Sequence, residues 1–269
     1  QIAWAELPGV GLSTAAAITS ICFNERVAIL DGNVKRVLTR FFAEPGWPGA
    51  SRVANKLWAK AESACWPTVV MDGGYPPRSQ FGQSFFGLAN LLQHLGVLPA
   101  SDWQALCRAV EAMDLNSCEA RGESLALAVE GKRICLYADT RWRSLLTRWR
   151  QQLNENSKLL VNVEVLPEMN HNELVGWESG DERHVAVMLR TAIDHPRTRH
   201  RMDITAEIVQ EQGADVLIVE PDGDTPWAEL LDAVWVGDWM SLVLAERSGV
   251  CPVDIRFIDR LKSTLALLP

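Results

Sequence analysis

Short β-branched runs that alternate with helical stretches constrain the fold of this chain more than any other feature. Four such runs are KRICLYAD, LLVNVEVLP, RHVAVMLR and ADVLIVEP. Helical periodicity separates them, for example in RWRSLLTRWRQQLNE and MDITAEIVQEQG. Strands separated by helices pair in parallel, because a parallel pair needs a long crossover connection. The pattern therefore predicts an α/β fold, with a parallel sheet flanked by helices.

Further helices are predicted on both sides of this region. QSFFGLANLLQHLG and ASDWQALCRAVEAMD precede it, and VWVGDWMSLVLAERSG and VDIRFIDRLKSTLALL follow it. The stretch VVMDGGYPPRSQFG is punctuated by Gly and Pro, and we predict that it is a loop.

The composition is that of a globular protein. Of the 269 residues, 48% are hydrophobic and 22% are charged, which provides enough apolar material for a buried core. No apolar run approaches the roughly 18 residues of a membrane span, and no signal peptide is recognisable. The six cysteines form no CxxC pair or cluster, which indicates reduced thiols rather than a zinc site or disulfides. We therefore expect a cytoplasmic protein that has no metal and does not contact a membrane.

The stretch LPGVGLSTA, residues 7–15, has a different character. Its two glycines allow a tight turn, and an alanine-rich helix start follows. The N–H groups of such a turn, with the helix N-terminus, form an anion site. Residues 1–63 carry a net charge of +2, whereas the rest of the chain carries −10. This difference is compatible with nucleic-acid contact by the first segment alone, and ordinary surface variation is the alternative.

The motifs LPGVGxSTAxAI, ILDGNVKRVLxRFF, GWPG and NKLW follow one another in this segment. Together they resemble the adenine-specific mismatch DNA glycosylases of the helix-hairpin-helix family, and DGNVKRV is specific to that family. The resemblance covers residues 1–63 and implies a small all-α segment. It also implies that Gly9, Val10 and Gly11 contact a DNA phosphate, and that Asp31 corresponds to the catalytic aspartate.

Two parts of the glycosylase pattern are not recognisable here. The family protonates the departing base with a second carboxylate, but Glu6 lies where the family has an ordinary helix residue. The family's four-cysteine iron–sulfur cluster follows this segment, whereas here Cys65 is followed by no cysteine until Cys107. We therefore expect weak binding of duplex DNA by residues 1–63 without base excision, so that Asp31 is idle.

Polar residues are concentrated in RWRQQLNENSK (148–158) and LPEMNHNELVGWE (166–178). Parallel sheets place functional residues at the carboxyl ends of strands, and the second stretch directly follows LLVNVEV. Glu155 ends a predicted helix, and His171 lies in the loop after the next strand. A carboxylate and an imidazole that converge on one cleft can move protons near neutral pH. The simpler alternatives are a solvated helix-end Glu and an ordinary loop His.

Four longer motifs occur in order and at matching spacing: PPRSxFG, WRxQLNENSK, PExNHNELVGWE and VGDWMSLxLAxxxGVxPxDIxxIDRLK. They resemble the bifunctional phosphoglucose/phosphomannose isomerases, which are two-domain sugar-isomerase (SIS) proteins. The resemblance implies a loop and helical connector at residues 64–120 and an SIS domain with a C-terminal helix at residues 121–269.

The resemblance also implies roles for single residues. Glu155 would be the base that moves a proton between C1 and C2 through a cis-enediolate, and Arg78 would stabilise the developing negative charge. His171 and Lys262 would assist ring opening, with His171 supplied by the second subunit of a homodimer. The substrates would be glucose 6-phosphate or mannose 6-phosphate, converted to fructose 6-phosphate without a cofactor. Otherwise, Arg78 would tie its loop to a carboxylate and Lys262 would be a solvated helix residue.

The first SIS domain of that family binds the sugar phosphate, and it is not recognisable in residues 1–63. Substrate positioning supplies a large part of the lowering of a reaction barrier. We therefore expect an impaired isomerase. A DNA-repair fragment of a glycosylase and an inactive chimera are the alternatives.

Overall fold

The computed structural model describes residues 32–47, 50–63 and 76–265. The chain splits into two compact units, Gln1–Pro99 and Ala100–Pro269.

The described residues of the first unit are mainly helical. Leu38 packs against Val53 and Leu57 in a small apolar core. Beside this core, Glu44 accepts hydrogen bonds from Lys56 and Lys60, and these bonds lower the pKa of its carboxyl. The elements are α1 (Gly32–Phe41), α2 (Ser51–Ser63), a 3-10 turn at Pro77–Gln80, and α3 (Phe81–His94).

The second unit alternates strands with helices, as the periodicity predicts. Each of the four predicted runs contains a strand, and the predicted helices are present as well. The helix α5 was not predicted, because its apolar residues show only weak helical periodicity. The elements are α4 (Ala100–Ala112), α5 (Leu115–Val129), β1 (Arg133–Asp139), α6 (Arg143–Glu155), β2 (Asn162–Leu166), α7 (Glu173–Gly176), β3 (His184–Leu189), α8 (Pro196–Glu211), β4 (Asp215–Val219), α9 (Pro226–Arg247) and α10 (Arg256–Leu265).

Local sequence signals explain where the principal helices begin. The Asp114 side chain accepts hydrogen bonds from the first N–H groups of α5. Thr225 caps α9 in the same way, and Pro226 occupies its first position, where a missing N–H does no harm. These caps fix the ends of the two helices that pack most extensively against each other.

The four strands form one parallel sheet in the order β2-β1-β3-β4. The predicted α/β fold with a parallel sheet and flanking helices is therefore confirmed. The strand order reverses between β1 and β3, so the crossover helices α6 and α8 lie on opposite faces, because such crossovers are right-handed. β2 is an edge strand of the sheet.

Each face of the sheet has its own core. On one face, Tyr137 and Met188 pack with Met202 of α8 and with Met169 and Trp177 from the chain after β2. On the other face, α6 packs against β1, β2 and α9. Successive residues of a strand point to opposite faces, so β1 contributes to both cores.

Close helix packing in the second core depends on two glycines. A Cβ at Gly122 of α5 would lie 2.5 Å from the Trp239 Cβ and 2.9 Å from the Val236 carbonyl oxygen of α9. A Cβ at Gly237 of α9 would overlap the indole ring of Trp149 on α6. Larger side chains at these two positions would force the helices apart.

The described cysteines, Cys107, Cys118, Cys135 and Cys251, are free thiols. Burial raises the pKa of Cys118 to about 12 and that of Cys135 to about 11, so both stay protonated at neutral pH. Among the described helices, none is both long and apolar enough to cross a membrane.

Candidate functional site

Glu155 is the last residue of α6, and the two residues that follow it are fastened to α9. The Asn156 side-chain amide donates to Ser241 Oγ at 2.9 Å, and Ser157 Oγ donates to the Ser241 carbonyl oxygen at 2.6 Å. Both side chains are buried, whereas Glu155 is half-buried. The end of α6 is therefore held in place while its terminal carboxylate remains within reach of solvent.

An ion pair about two helical turns before Glu155 strengthens the same junction. Arg148 of α6 pairs with Asp238 of α9, and Gln152 Nε2 donates to Asp238 Oδ1 at 2.7 Å. Burial raises the pKa of the Asp238 carboxyl above its ordinary value, against the opposing effect of the Arg148 guanidinium. Helices α6 and α9 are thus joined by polar contacts along the turns that lead to Glu155.

His171 is exposed and ends a 3-10 turn, Glu168–His171, that begins two residues after β2. Its neighbour Met169 is fully buried, and the Asn170 amide donates to Thr205 Oγ1 of α8 at 2.8 Å. The imidazole is therefore presented to the outside by a segment whose preceding residues are fixed.

The segment that carries His171 is also tied to the sheet. Glu173 Oε1 accepts hydrogen bonds from the Tyr137 hydroxyl of β1 and, at 2.6 Å, from the Asn162 amide of β2. The Trp177 indole N–H donates to the same Tyr137 hydroxyl at 3.2 Å. Residues 173 and 177 are thereby both joined to one strand residue.

The sheet separates Glu155 from His171 within one copy of the chain. The helix that ends at Glu155 packs on one face, and the segment that carries His171 packs on the other, against α8. The elements that carry these two side chains therefore lie on opposite faces of the sheet. The reason is the reversal of strand order, which distributes the chain before and after β2 over opposite faces.

The other candidate residues lie elsewhere. Arg78 belongs to the first unit, where it is half-buried in the turn Pro77–Gln80. Lys262 lies on α10, whose residues are all exposed. The remaining predicted residues, Gly9, Val10, Gly11 and Asp31, are outside the described residues.

Two clefts among the described residues of the second unit are lined by other residues. The larger one, of about 690 Å³, follows the edge strand β4 and α5, and its lining includes Arg121 and Arg190. A smaller one, of about 360 Å³, lies near the start of α9 and is lined by several carboxylates, among them Asp232. Within the described ranges, no group of three or more His, Cys, Asp or Glu is arranged to hold a metal ion.

Sequence reasoning missed the residues that hold the candidate groups. Tyr137, Asn162 and Ser241 show no chemical signal of their own, since a buried tyrosine or serine reads as ordinary core. Glu173 lies within the motif PExNHNELVGWE, two residues after His171, and this proximity is the sign of its importance in the sequence.

The fold is that of sugar-isomerase SIS proteins. It is similar to the crystal structure of a glucose-6-phosphate isomerase like protein from Thermus thermophilus, with a TM-score of 0.53 and 18% identity, over 74% of this chain and 66% of that one. Residues 119–265 match the family model described as the bacterial phospho-glucose isomerase C-terminal SIS domain. The chain therefore belongs to the bacterial phosphoglucose isomerase family that is defined by this domain.

A curated relative extends the similarity along the chain. The bifunctional phosphoglucose/phosphomannose isomerase of Aquifex aeolicus (strain VF5) is 31% identical over 241 residues, which cover 87% of this chain and 73% of the relative. An alignment of this extent also includes residues that precede position 64.

The first segment shows a second similarity. The adenine DNA glycosylase of Buchnera aphidicola subsp. Acyrthosiphon pisum (strain APS) is 47% identical over 58 residues, which are 22% of this chain and 17% of the glycosylase. The isomerase part of the composite interpretation is confirmed, and this glycosylase match covers only a short segment of the chain.

Proposed function

We propose that this protein interconverts the 6-phosphates of glucose or mannose with fructose 6-phosphate. The observation that carries the proposal is the geometry around Glu155 on a family-defining SIS fold: a half-buried carboxylate at the end of α6, with both following side chains fixed to Ser241. Such a carboxylate is a suitable general base, because the end of α6 that carries it is fixed and the side chain can still be reached from solvent.

The proposed reaction is a proton transfer between neighbouring carbons. Glu155 removes the proton from C2 of the open-chain aldose, and the electron pair forms a cis-enediolate whose negative charge the Arg78 guanidinium stabilises. A proton moves from O2 to O1, and Glu155 returns its proton to C1 to give the ketose. His171 and Lys262 move the protons that open the sugar ring, and no cofactor takes part.

The position of His171 leads to the proposal of a homodimer. In one copy the sheet lies between His171 and Glu155, so His171 serves the site that contains Glu155 of a second copy. The exposed side chains Leu160, near Glu155, and Val175, near His171, provide apolar surface beside both groups. A site shared between copies would explain why the residues on both sides of this exposed histidine are fixed by hydrogen bonds.

Mixing two inactive variants tests the shared site. Glu155→Gln and His171→Ala each damage every site in their own homodimer. In a heterodimer of the two, one site receives both intact residues, so a co-expressed mixture regains roughly a quarter of the native rate. The rate is measured as glucose 6-phosphate formed from fructose 6-phosphate in a coupled assay.

Each variant alone, and a mixture of the two at a concentration that prevents association, are the controls. A mixture no faster than the sum of its separate components would contradict the shared site. A native protein that does not turn over any of the three sugar phosphates would overturn the proposed function itself.

We further propose that turnover is impaired. Phosphate-binding loops of an SIS domain are not recognisable in residues 1–63, and this supports weak binding of the sugar phosphate. In the same assay this appears as a rate that is still rising linearly at millimolar fructose 6-phosphate.

A second candidate function, binding of duplex DNA, rests on the similarity of 58 residues to an adenine DNA glycosylase. The described part of that segment includes α1, with the exposed Arg40. We expect fluorescence anisotropy to show weak binding of a labelled duplex that falls steeply with salt, because phosphate contacts release counterions. Gly9→Ala and Gly11→Ala together would abolish it, and binding that they leave unchanged, or that is independent of salt, would contradict the proposal.

A further inference from the structure

Side-chain hydrogen bonds fasten the segment that carries His171 to the sheet and to α8. It is held on both sides of the imidazole, by Asn170 on Thr205 and by Glu173 on Tyr137 and Asn162. A surface histidine with no task does not require such an arrangement, whereas a group that must meet a substrate within a fraction of an ångström does.

Tyr137 is the centre of this arrangement. Its ring is fully buried in the middle of the sheet, where β1 pairs with β2 on one side and with β3 on the other. Its hydroxyl donates to Glu173 and accepts from Trp177, which lie at opposite ends of α7. The centre of the sheet is thereby connected to the segment next to His171.

We propose that Tyr137 and Glu173 are positioning residues for His171: the buried hydroxyl fixes the carboxylate, and the carboxylate fixes the turn from which the imidazole projects. The inference rests on the proposed function, in which His171 assists ring opening. Neither residue touches the substrate.

The chain contains a matched control for the removal of this hydroxyl. Thr191, two residues after β3, is also buried, and its hydroxyl donates to Asp194 Oδ1 at 2.7 Å and accepts from the Trp142 indole N–H at 3.0 Å. Tyr137→Phe and Thr191→Val therefore delete the same pair of interactions, one beside the His171 segment and the other beyond β3, two strands away from β2.

The first test is a double-mutant cycle on the rate of fructose 6-phosphate isomerisation. We expect Tyr137→Phe to lower kcat about tenfold, with little change in KM, and Thr191→Val to change it less than about twofold. In a His171→Ala background, Tyr137→Phe should have almost no further effect, because the group that it positions is gone. The proposal would be overturned if Tyr137→Phe lowered kcat equally in the native and the His171→Ala backgrounds. An equal loss of kcat in Thr191→Val would also overturn it.

A second measurement separates this inference from the proposed function. Hydrogen exchange of the peptide that spans residues 168–177, followed by mass spectrometry, should be faster in Tyr137→Phe and in Glu173→Gln, and unchanged in Thr191→Val. If the native protein has no isomerase activity, the proposed function fails, while the exchange still decides whether Tyr137 and Glu173 hold the segment. Unchanged exchange in Tyr137→Phe would contradict the inference regardless of activity.

Discussion

Glu155→Gln is expected to lower the rate of fructose 6-phosphate isomerisation about a thousandfold, since a positioned general base contributes roughly a hundredfold to ten-thousandfold. The amide has nearly the size of the carboxylate but cannot accept the proton from carbon. The contacts of Asn156 and Ser157 with Ser241 do not involve the Glu155 side chain, so the fold should be retained. The coupled assay measures the loss, and circular dichroism checks the fold.

Glu207→Gln is a suitable control for this substitution. Glu207 is exposed on α8, on the face of the sheet opposite to α6, and the same chemical change there should leave the rate within about twofold. A Glu155→Gln protein that keeps more than about a tenth of the native rate would show that another group is the base.

Gly237→Ala is expected to lower the free energy of unfolding strongly. The added Cβ would lie 2.5 Å from Cδ1 and Cε2 of Trp149, whose ring is almost fully buried and whose N–H donates to the Ala233 carbonyl oxygen at 2.9 Å. Overpacking of this kind lowers the free energy of unfolding by about 1–3 kcal/mol. In a domain of this size, that corresponds to about 2–4 °C in Tm for each kcal/mol.

The same substitution should also affect activity, because Trp149 lies on the helix that ends at Glu155. Thermal unfolding followed by circular dichroism measures the change in Tm. Gly176→Ala is the control: its backbone is helical, and nothing lies within 4 Å of the added Cβ, so Tm should stay the same or rise slightly. Equal shifts in the two variants would show that the contact with Trp149 is not the cause. If that contact is the cause, Trp149→Phe in the Gly237→Ala background should recover part of the lost Tm, because the smaller ring leaves room for the added Cβ.

The elements of the second unit were predictable because each depends on local signals. The runs that became β1 to β4 are short and β-branched, and stretches with helical periodicity separate them, so the alternation of strands and helices could be predicted from the chain. α5 was not predicted because its apolar residues show only weak helical periodicity, and Gly122, which allows its close packing on α9, adds no apolar signal.

The elements that carry the candidate residues were predictable, but the arrangement of those elements was not. Glu155 and His171 lie 16 positions apart on either side of one strand, and this spacing suggests a shared cleft. The order β2-β1-β3-β4 places them on opposite faces, and strand order results from pairing between distant parts of the chain. Likewise, no local pattern shows that a hydroxyl on β1 reaches a carboxylate 36 positions later.

The sequence by itself determined the class of this protein, because alternating strand and helix patterns allow few solutions, and because the ordered motifs identify one family. Only the tertiary structure decided which groups hold the candidate catalytic residues and which face of the sheet each residue occupies. The physical reason is range: periodicity and capping act within a few residues, whereas the contacts of Ser241 with the end of α6 and of Tyr137 with Glu173 exist only after distant segments have packed together.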